Sequence, residues 1–120
     1  MAKIIECVPN ISEGRNHEVI EACVDTVRNT AGVTLLDYSS DASHNRSVIT
    51  FMGSPEGVMN AATALAKKAA ELIDLNHHQG EHPRMGAVDV IPLIPMKDVT
   101  KEETVEYSKQ LAERIWNEAG

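Results

Sequence analysis

A short segment in the second half of the chain brings three chemically useful side chains together. Residues 80–86 read Gly-Glu-His-Pro-Arg-Met-Gly, so a carboxylate, an imidazole and a guanidinium are close neighbours. Pro83 predicts a shaped loop there, because proline lacks a backbone N–H and its ring clashes with the preceding helical turn. Histidine has an unperturbed pKa of about 6.5 and acts as an acid or a base near neutrality. The segment therefore predicts a loop on which His82 performs acid–base chemistry.

Each of these side chains also has a purely structural interpretation. His82 is either a catalytic base or a loop histidine that hydrogen-bonds its own turn. Arg84 either binds a carboxylate, which a guanidinium matches with two hydrogen bonds, or pairs with Glu81 or Asp89. Residue types and spacing alone leave both choices open.

A metal site is the less favoured interpretation of the nearby histidines. Histidine and carboxylate side chains ligate zinc and iron, and His78 and His82 have the i, i+4 spacing of a helical metal-binding pair. However, Gly80 and Pro83 argue against a helix, and no cysteine pair completes a ligand set. We therefore expect no bound metal.

Two further polar segments offer ligand-binding groups. One joins two predicted strands, and its Asn45 and Arg46 either donate hydrogen bonds to an anionic ligand or belong to a solvated loop. The other joins the first predicted strand to the first helix. There Asn10 and Ser12, with the helix N-terminus, either bind a carboxylate or carbonyl group or merely cap the helix.

The elements that must position these residues follow the order β-α-β-β-α-β-α. The strands are predicted from β-branched runs, and the helices from apolar spacing and capping signals such as Ser54-Pro55 and Thr100 with Glu103. The predicted strands are Lys3–Val8, Val33–Tyr38, Ser47–Met52 and Ala87–Ile94; the predicted helices are 16–29, 55–73 and 101–116.

This order predicts an α+β fold, a ferredoxin-like βαββαβ sandwich with an additional C-terminal helix. The strand order of that fold is 4-1-3-2, which puts the fourth strand at an edge. Pro92 falls in this strand, and sheets tolerate proline at edges. The second face of the sheet is covered by the third helix or by a partner domain, or else it stays exposed as a binding surface.

Composition excludes several functional classes. The 120 residues suit one domain. A net charge of −7 and a pI of about 5.1 are a poor match to nucleic acid or to an anionic membrane. We recognise no signal peptide, and no apolar run approaches the roughly 20 residues of a membrane helix. Cys7 and Cys23 lie in apolar patterns, which is typical of buried thiols in a reducing cytosol. We expect a cytoplasmic protein without nucleic-acid or membrane partners.

Taken together, residues 6–15, 45–48 and 78–87 resemble the glutamate formimidoyltransferase family. The similarity extends to about Trp116, with Ile11 in place of the usual Phe and Gln79 where His or Lys is common. The resemblance implies transfer of the formimino group from N-formimino-L-glutamate to tetrahydrofolate, a co-substrate, in histidine degradation and one-carbon metabolism. It also implies that His82 is the catalytic residue. The predicted substrate-binding residues are Asn10, Ser12, Asn45, Arg46, Glu81 and Arg84.

The family's transferase unit is roughly twice this length or more, and it binds its substrates between two ferredoxin-like halves. Residues 1–120 are therefore expected to form the N-terminal subdomain, with the second, folate-binding half absent. The family habit also predicts a homodimer. Two alternatives remain: a non-catalytic binding or assembly module derived from the enzyme, and a sister transfer of a formyl group between glutamate and folate.

Overall fold

The computed structural model describes residues 3–11, 16–43, 46–72, 88–90 and 92–119. Within these ranges the chain forms an antiparallel sheet of six strands and three helices, which makes an α+β fold. The elements are β1 (Ile4–Cys7), β2 (Asn10–Ile11), α1 (His17–Arg28), β3 (Val33–Asp41), β4 (Arg46–Gly53), α2 (Pro55–Leu72), β5 (Val88–Val90), β6 (Leu93–Lys97) and α3 (Lys101–Ala119).

Strand β4 is the centre of the sheet. It pairs along its length with β3 on one side, and with both β1 and β2 on the other. Strand β6 pairs with β1, and β5 pairs with β2, all in antiparallel fashion. The predicted contact between the first and the last strand is therefore confirmed, as is the additional C-terminal helix.

The first strand, β1, ends at Cys7, within one residue of the predicted end at Val8, but the sequence did not predict the short strand β2 that follows Pro9. Cys7 pairs with Phe51 and Asn10 pairs with Val48, so both strands advance by three residues between these pairs and the register is unbroken across Pro9. Asn10 is consequently a strand residue in the middle of the sheet, and not a residue of the loop that the sequence predicted.

In the part of 87–94 that the structure describes, the predicted fourth strand comprises two strands, β5 and β6. Its second part, β6, continues beyond the predicted end to Lys97. Proline interrupts a strand because it has no N–H to donate to the neighbouring strand. Its carbonyl still accepts a hydrogen bond, so the pairing continues beyond it. The N–H of Ile49 donates to the Pro9 carbonyl at 3.0 Å, and the N–H of Val8 donates to the Pro92 carbonyl at 3.3 Å.

One face of the sheet builds the core. Alternate residues of β1, β2 and β4 are fully buried there, and they pack against buried residues of all three helices. The sheet contributes Ile5, Cys7, Ile11, Ile49 and Phe51; the helices contribute Ile20, Cys23, Val24 and Val27, then Val58, Ala61, Ala62, Leu65, Ala66 and Ala69, then Leu111 and Ile115. Helix α3 packs beside α2 and β6, so in the described ranges it does not cover the second face of the sheet.

The predicted helix starts are confirmed for α2 and α3. The hydroxyl of Ser54 accepts a hydrogen bond from the Gly57 N–H at 3.1 Å, and Pro55 is the first helical residue. Thr100 and Glu103 form the predicted capping box, in which each side chain accepts the other residue's backbone N–H at 3.0 Å. These bonds satisfy N–H groups that the first helical turn leaves without partners.

We predict that Thr100→Ala lowers the free energy of unfolding by about 1 kcal/mol, the usual effect of removing an N-cap hydroxyl. Urea denaturation followed by circular dichroism measures this change. Thr100→Ser is the matched control, because it keeps the hydroxyl that accepts the Glu103 N–H. Equal stability of the Ala and Ser variants would contradict the role of the capping box.

A second prediction concerns the thiols, both of which are free and buried. Burial raises the pKa of the Cys7 thiol to about 12, so it stays protonated at mildly alkaline pH and lacks the reactive thiolate form. We expect an aromatic disulfide reagent to label neither Cys7 nor Cys23 in the native chain, and to label both in concentrated guanidinium chloride. Rapid labelling of either thiol in the native protein would show that this side of the sheet is open.

Candidate functional site

A cavity of about 320 Å³ lies on the sheet where β2, β3 and β4 meet. Its volume is at the lower end of the range for small-molecule sites, so it suits a compact metabolite. The lining residues are mostly polar and include one acid and one base. They are Asn10, Ser39, Ser40, Asp41, Arg46 and Val48.

Strand alternation explains why polar side chains gather on this face. Ile11 is buried in the core, and successive side chains of a strand point to opposite faces, so Asn10 points away from the core. Its partner on β4 is Val48, and Arg46 lies two residues from Val48 on the same face. The antiparallel register therefore brings Asn10 and Arg46 to one cavity from different strands.

The β3–β4 pair is fixed beside the cavity by a hydrogen bond between two serines. The hydroxyls of Ser40 and Ser47 lie 3.0 Å apart, and Ser47 is fully buried. A buried hydroxyl without a partner costs about 1–3 kcal/mol. The bond to Ser40 gives the Ser47 hydroxyl a partner and links the two strands.

Asp41 ends β3 at the rim of the cavity. Its Oδ1 accepts a hydrogen bond from the Ser43 N–H at 2.9 Å, which is an Asx turn. In the sheet register, Asp41 is the partner of Arg46. The strand ending and the turn together place a carboxylate next to a guanidinium-bearing residue at the same site.

Sequence reasoning assigned Ser39, Ser40 and Asp41 to the polar loop before Arg46, because their composition is typical of a loop, whereas the structure extends β3 as far as Asp41. The register of β3 also shifts between Leu35 and Asp37, so alternation read from the start of the strand predicts the wrong face for later residues. The one useful signal was Arg46, whose face follows directly from the alternation of β4.

Helix α1 attaches to β3 on the other side of the sheet, through an exposed polar cluster. The Tyr38 hydroxyl donates to Glu21, and Arg28 donates to Glu21 at 3.2 Å and to Asp25 at 2.8 Å. The Arg28 guanidinium also lies 5.6 Å from the centre of the Tyr38 ring. The bond from Tyr38, followed by that from Arg28, lowers the pKa of the Glu21 carboxyl. The cluster joins α1 to the strand that carries the cavity rim.

The ends of three strands meet at this edge of the sheet. Ile11 pairs with Ser47 on one side and with Val88 on the other. In the sequence, residue 12 directly follows β2, residue 45 directly precedes β4, and residues 73–87 directly precede β5. All three polar segments singled out from the sequence are therefore connected to the same edge.

Of the predicted site residues, the structure describes Asn10 and Arg46, and it brings both to the cavity. The other predicted site residues lie outside the described ranges: Ser12, Asn45, Glu81, His82 and Arg84.

Within the described residues, no group of three or more His, Cys, Asp or Glu side chains is arranged to hold a metal ion. None of the described helices has the length and apolar character needed to cross a membrane.

The amino-acid sequence matches the family described as formiminotransferase domain, N-terminal subdomain, over residues 4–120. The glutamate formimidoyltransferase of Streptococcus pyogenes serotype M1 is 59% identical over 120 residues, which cover 100% of this chain and 40% of that protein. The formimidoyltransferase-cyclodeaminase of Gallus gallus is 50% identical over the same length, which is 22% of that protein. The glutamate formimidoyltransferase of Thermoplasma acidophilum is 44% identical over 98% of this chain and 39% of its own length. The chain thus spans less than half the length of these curated relatives.

Proposed function

This chain belongs to the formiminotransferase family as its N-terminal subdomain, and we propose that it is the catalytic-histidine half of a folate-dependent transferase. The reaction moves the formimino group of N-formimino-L-glutamate to N5 of tetrahydrofolate, and it belongs to histidine degradation. The names of the relatives, glutamate formimidoyltransferase and formimidoyltransferase-cyclodeaminase, support the transfer chemistry.

The observation that carries this proposal is the meeting of β2, β4 and β5 beside the cavity that Asn10 and Arg46 line. Val88 lies six residues after His82 in the sequence. The segment that carries the predicted base therefore leads directly into β5, the strand that pairs with β2. This supports a single site that combines the predicted base with the predicted binding groups.

In the proposed mechanism, the neutral imidazole of His82 accepts the N5 proton as N5 bonds to the amidine carbon. The resulting imidazolium then donates a proton to the glutamate nitrogen as the carbon–nitrogen bond to glutamate breaks. Glutamate and 5-formiminotetrahydrofolate leave. Arg46 and Arg84 bind carboxylates through paired hydrogen bonds. The remaining predicted contacts to substrate are those of Asn10, Ser12, Asn45 and Glu81.

We also propose that the fold is ferredoxin-like. The antiparallel order β6-β1-β4-β3 corresponds to the 4-1-3-2 order of that fold. The greater length of the relatives supports a second half that supplies folate contacts. We further propose a cytoplasmic homodimer, and the exposed apolar side chains of Met96, Val105 and Trp116 are compatible with an interface between subunits.

In the complete transferase, we predict that His82→Ala lowers kcat by about 10²–10⁴-fold with little change in KM, because a general base acts in the transition state. Steady-state kinetics with both substrates measures this effect. His17→Ala is the control, since His17 is an exposed residue at the start of α1.

Near-normal kcat in His82→Ala would refute the general-base role. Activity that a chelator abolishes and zinc restores would instead support the metal site that the sequence disfavours.

We predict the opposite pattern for Arg46→Ala, since binding of a donor carboxylate stabilises the ground state and the transition state alike. Loss of a charged hydrogen bond should raise KM by about 10–100-fold and leave kcat within a few-fold. Arg46→Lys keeps the charge but not the planar fork, and it should give an intermediate KM. A large fall in kcat at unchanged KM would show that Arg46 acts in the chemical step.

A further inference from the structure

The cavity contains a carboxylate for which the proposed mechanism has no role. Asp41 lines the cavity together with Arg46, and the two residues are partners across the β3–β4 pair. The Asx turn with Ser43 holds the Asp41 side chain at the rim. A carboxylate has about four lone-pair positions, so it can accept hydrogen bonds from a ligand in addition to its contacts within the chain.

The proposed donor has charges that match this pair. An amidine is protonated near neutral pH, and the resulting amidinium is a planar cation with two N–H groups on one side. Like a guanidinium, it matches a carboxylate with two parallel hydrogen bonds. The donor also has two carboxylates, for which Arg46 is the complementary group. One cation and one anion on neighbouring strands therefore fit a ligand that carries both charges.

We propose that Asp41 binds the amidinium of the donor and determines the preference for a formimino over a formyl group. This inference rests on the proposed function. The formyl analogue has nearly the same shape but carries a neutral amide in place of the amidinium. A carboxylate favours the cationic ligand through charge-assisted hydrogen bonds, which are stronger than bonds to neutral groups. Asp41 would then discriminate between the formimino and formyl donors, which a neutral cavity of the same shape would bind about equally.

The test is calorimetric binding of N-formimino-L-glutamate and of N-formyl-L-glutamate to the complete transferase, as wild type and as Asp41→Asn. Asparagine keeps the shape of the side chain and an oxygen that accepts the Ser43 N–H. Asp37→Asn is the matched control, because Asp37 is an exposed residue of the same strand that does not line the cavity.

We expect Asp41→Asn to raise the Kd of the formimino ligand by about tenfold or more, and to change the Kd of the formyl ligand by about twofold at most. Asp37→Asn should change neither. Equal weakening of both ligands, an unchanged formimino Kd, or a wild type that does not prefer the formimino ligand would overturn the assignment.

Turnover of the wild type is measured separately. Absence of formimino transfer would refute the proposed function. The binding comparison would still decide the role of Asp41, because binding can be measured without a reaction.

Discussion

The cavity depends on the register with which β4 pairs with β2 and β3. Side chains alternate between the two faces of a strand, so a slip of one residue would turn Asn10 towards the core and Ile11 towards solvent. Pro9 has no N–H to donate, but its carbonyl accepts a hydrogen bond from the Ile49 N–H at 3.0 Å, so the pairing with β4 keeps its register past this residue. The polar face is therefore determined by the same hydrogen bonds that build the sheet.

The core makes this register costly to change. Ile11, Ile49 and Phe51 belong to β2 and β4, and their side chains are fully buried on the face opposite the cavity. Burial of each large apolar side chain contributes roughly 1.5–3 kcal/mol to the stability of the fold. A slip would expose several of them at once. The helices on one face of the sheet thus hold the strands that carry Asn10, Asp41 and Arg46 on the other, and a packed scaffold of this kind can preorganise a binding site.

Much of this architecture follows from local signals in the sequence. Ser54-Pro55 and the Thr100–Glu103 pair predicted two helix starts. Within the described residues, β5 and β6 lie at the ends of the strand order, as Pro92 suggested for the fourth strand, although Pro92 itself lies outside both strands. The sequence predicted the end of β1 before Pro9, but not that β2 resumes in the same register, because a proline that only accepts hydrogen bonds leaves the register intact. Asp41 was expected in a loop, and its face on β3 was not predictable because it depends on a register shift earlier in that strand. The proposed catalytic role of His82 rests on the family resemblance, since residue spacing alone also allowed a structural histidine.

The central claim is that the cavity and the 80–86 segment form one donor-binding site. The most direct measurement is a crystal structure of the complete transferase with N-formimino-L-glutamate bound. We expect the donor in the cavity, with a carboxylate about 3 Å from the Arg46 guanidinium and the amidine carbon facing the His82 imidazole. A donor bound elsewhere, out of contact with both Arg46 and His82, would contradict the claim.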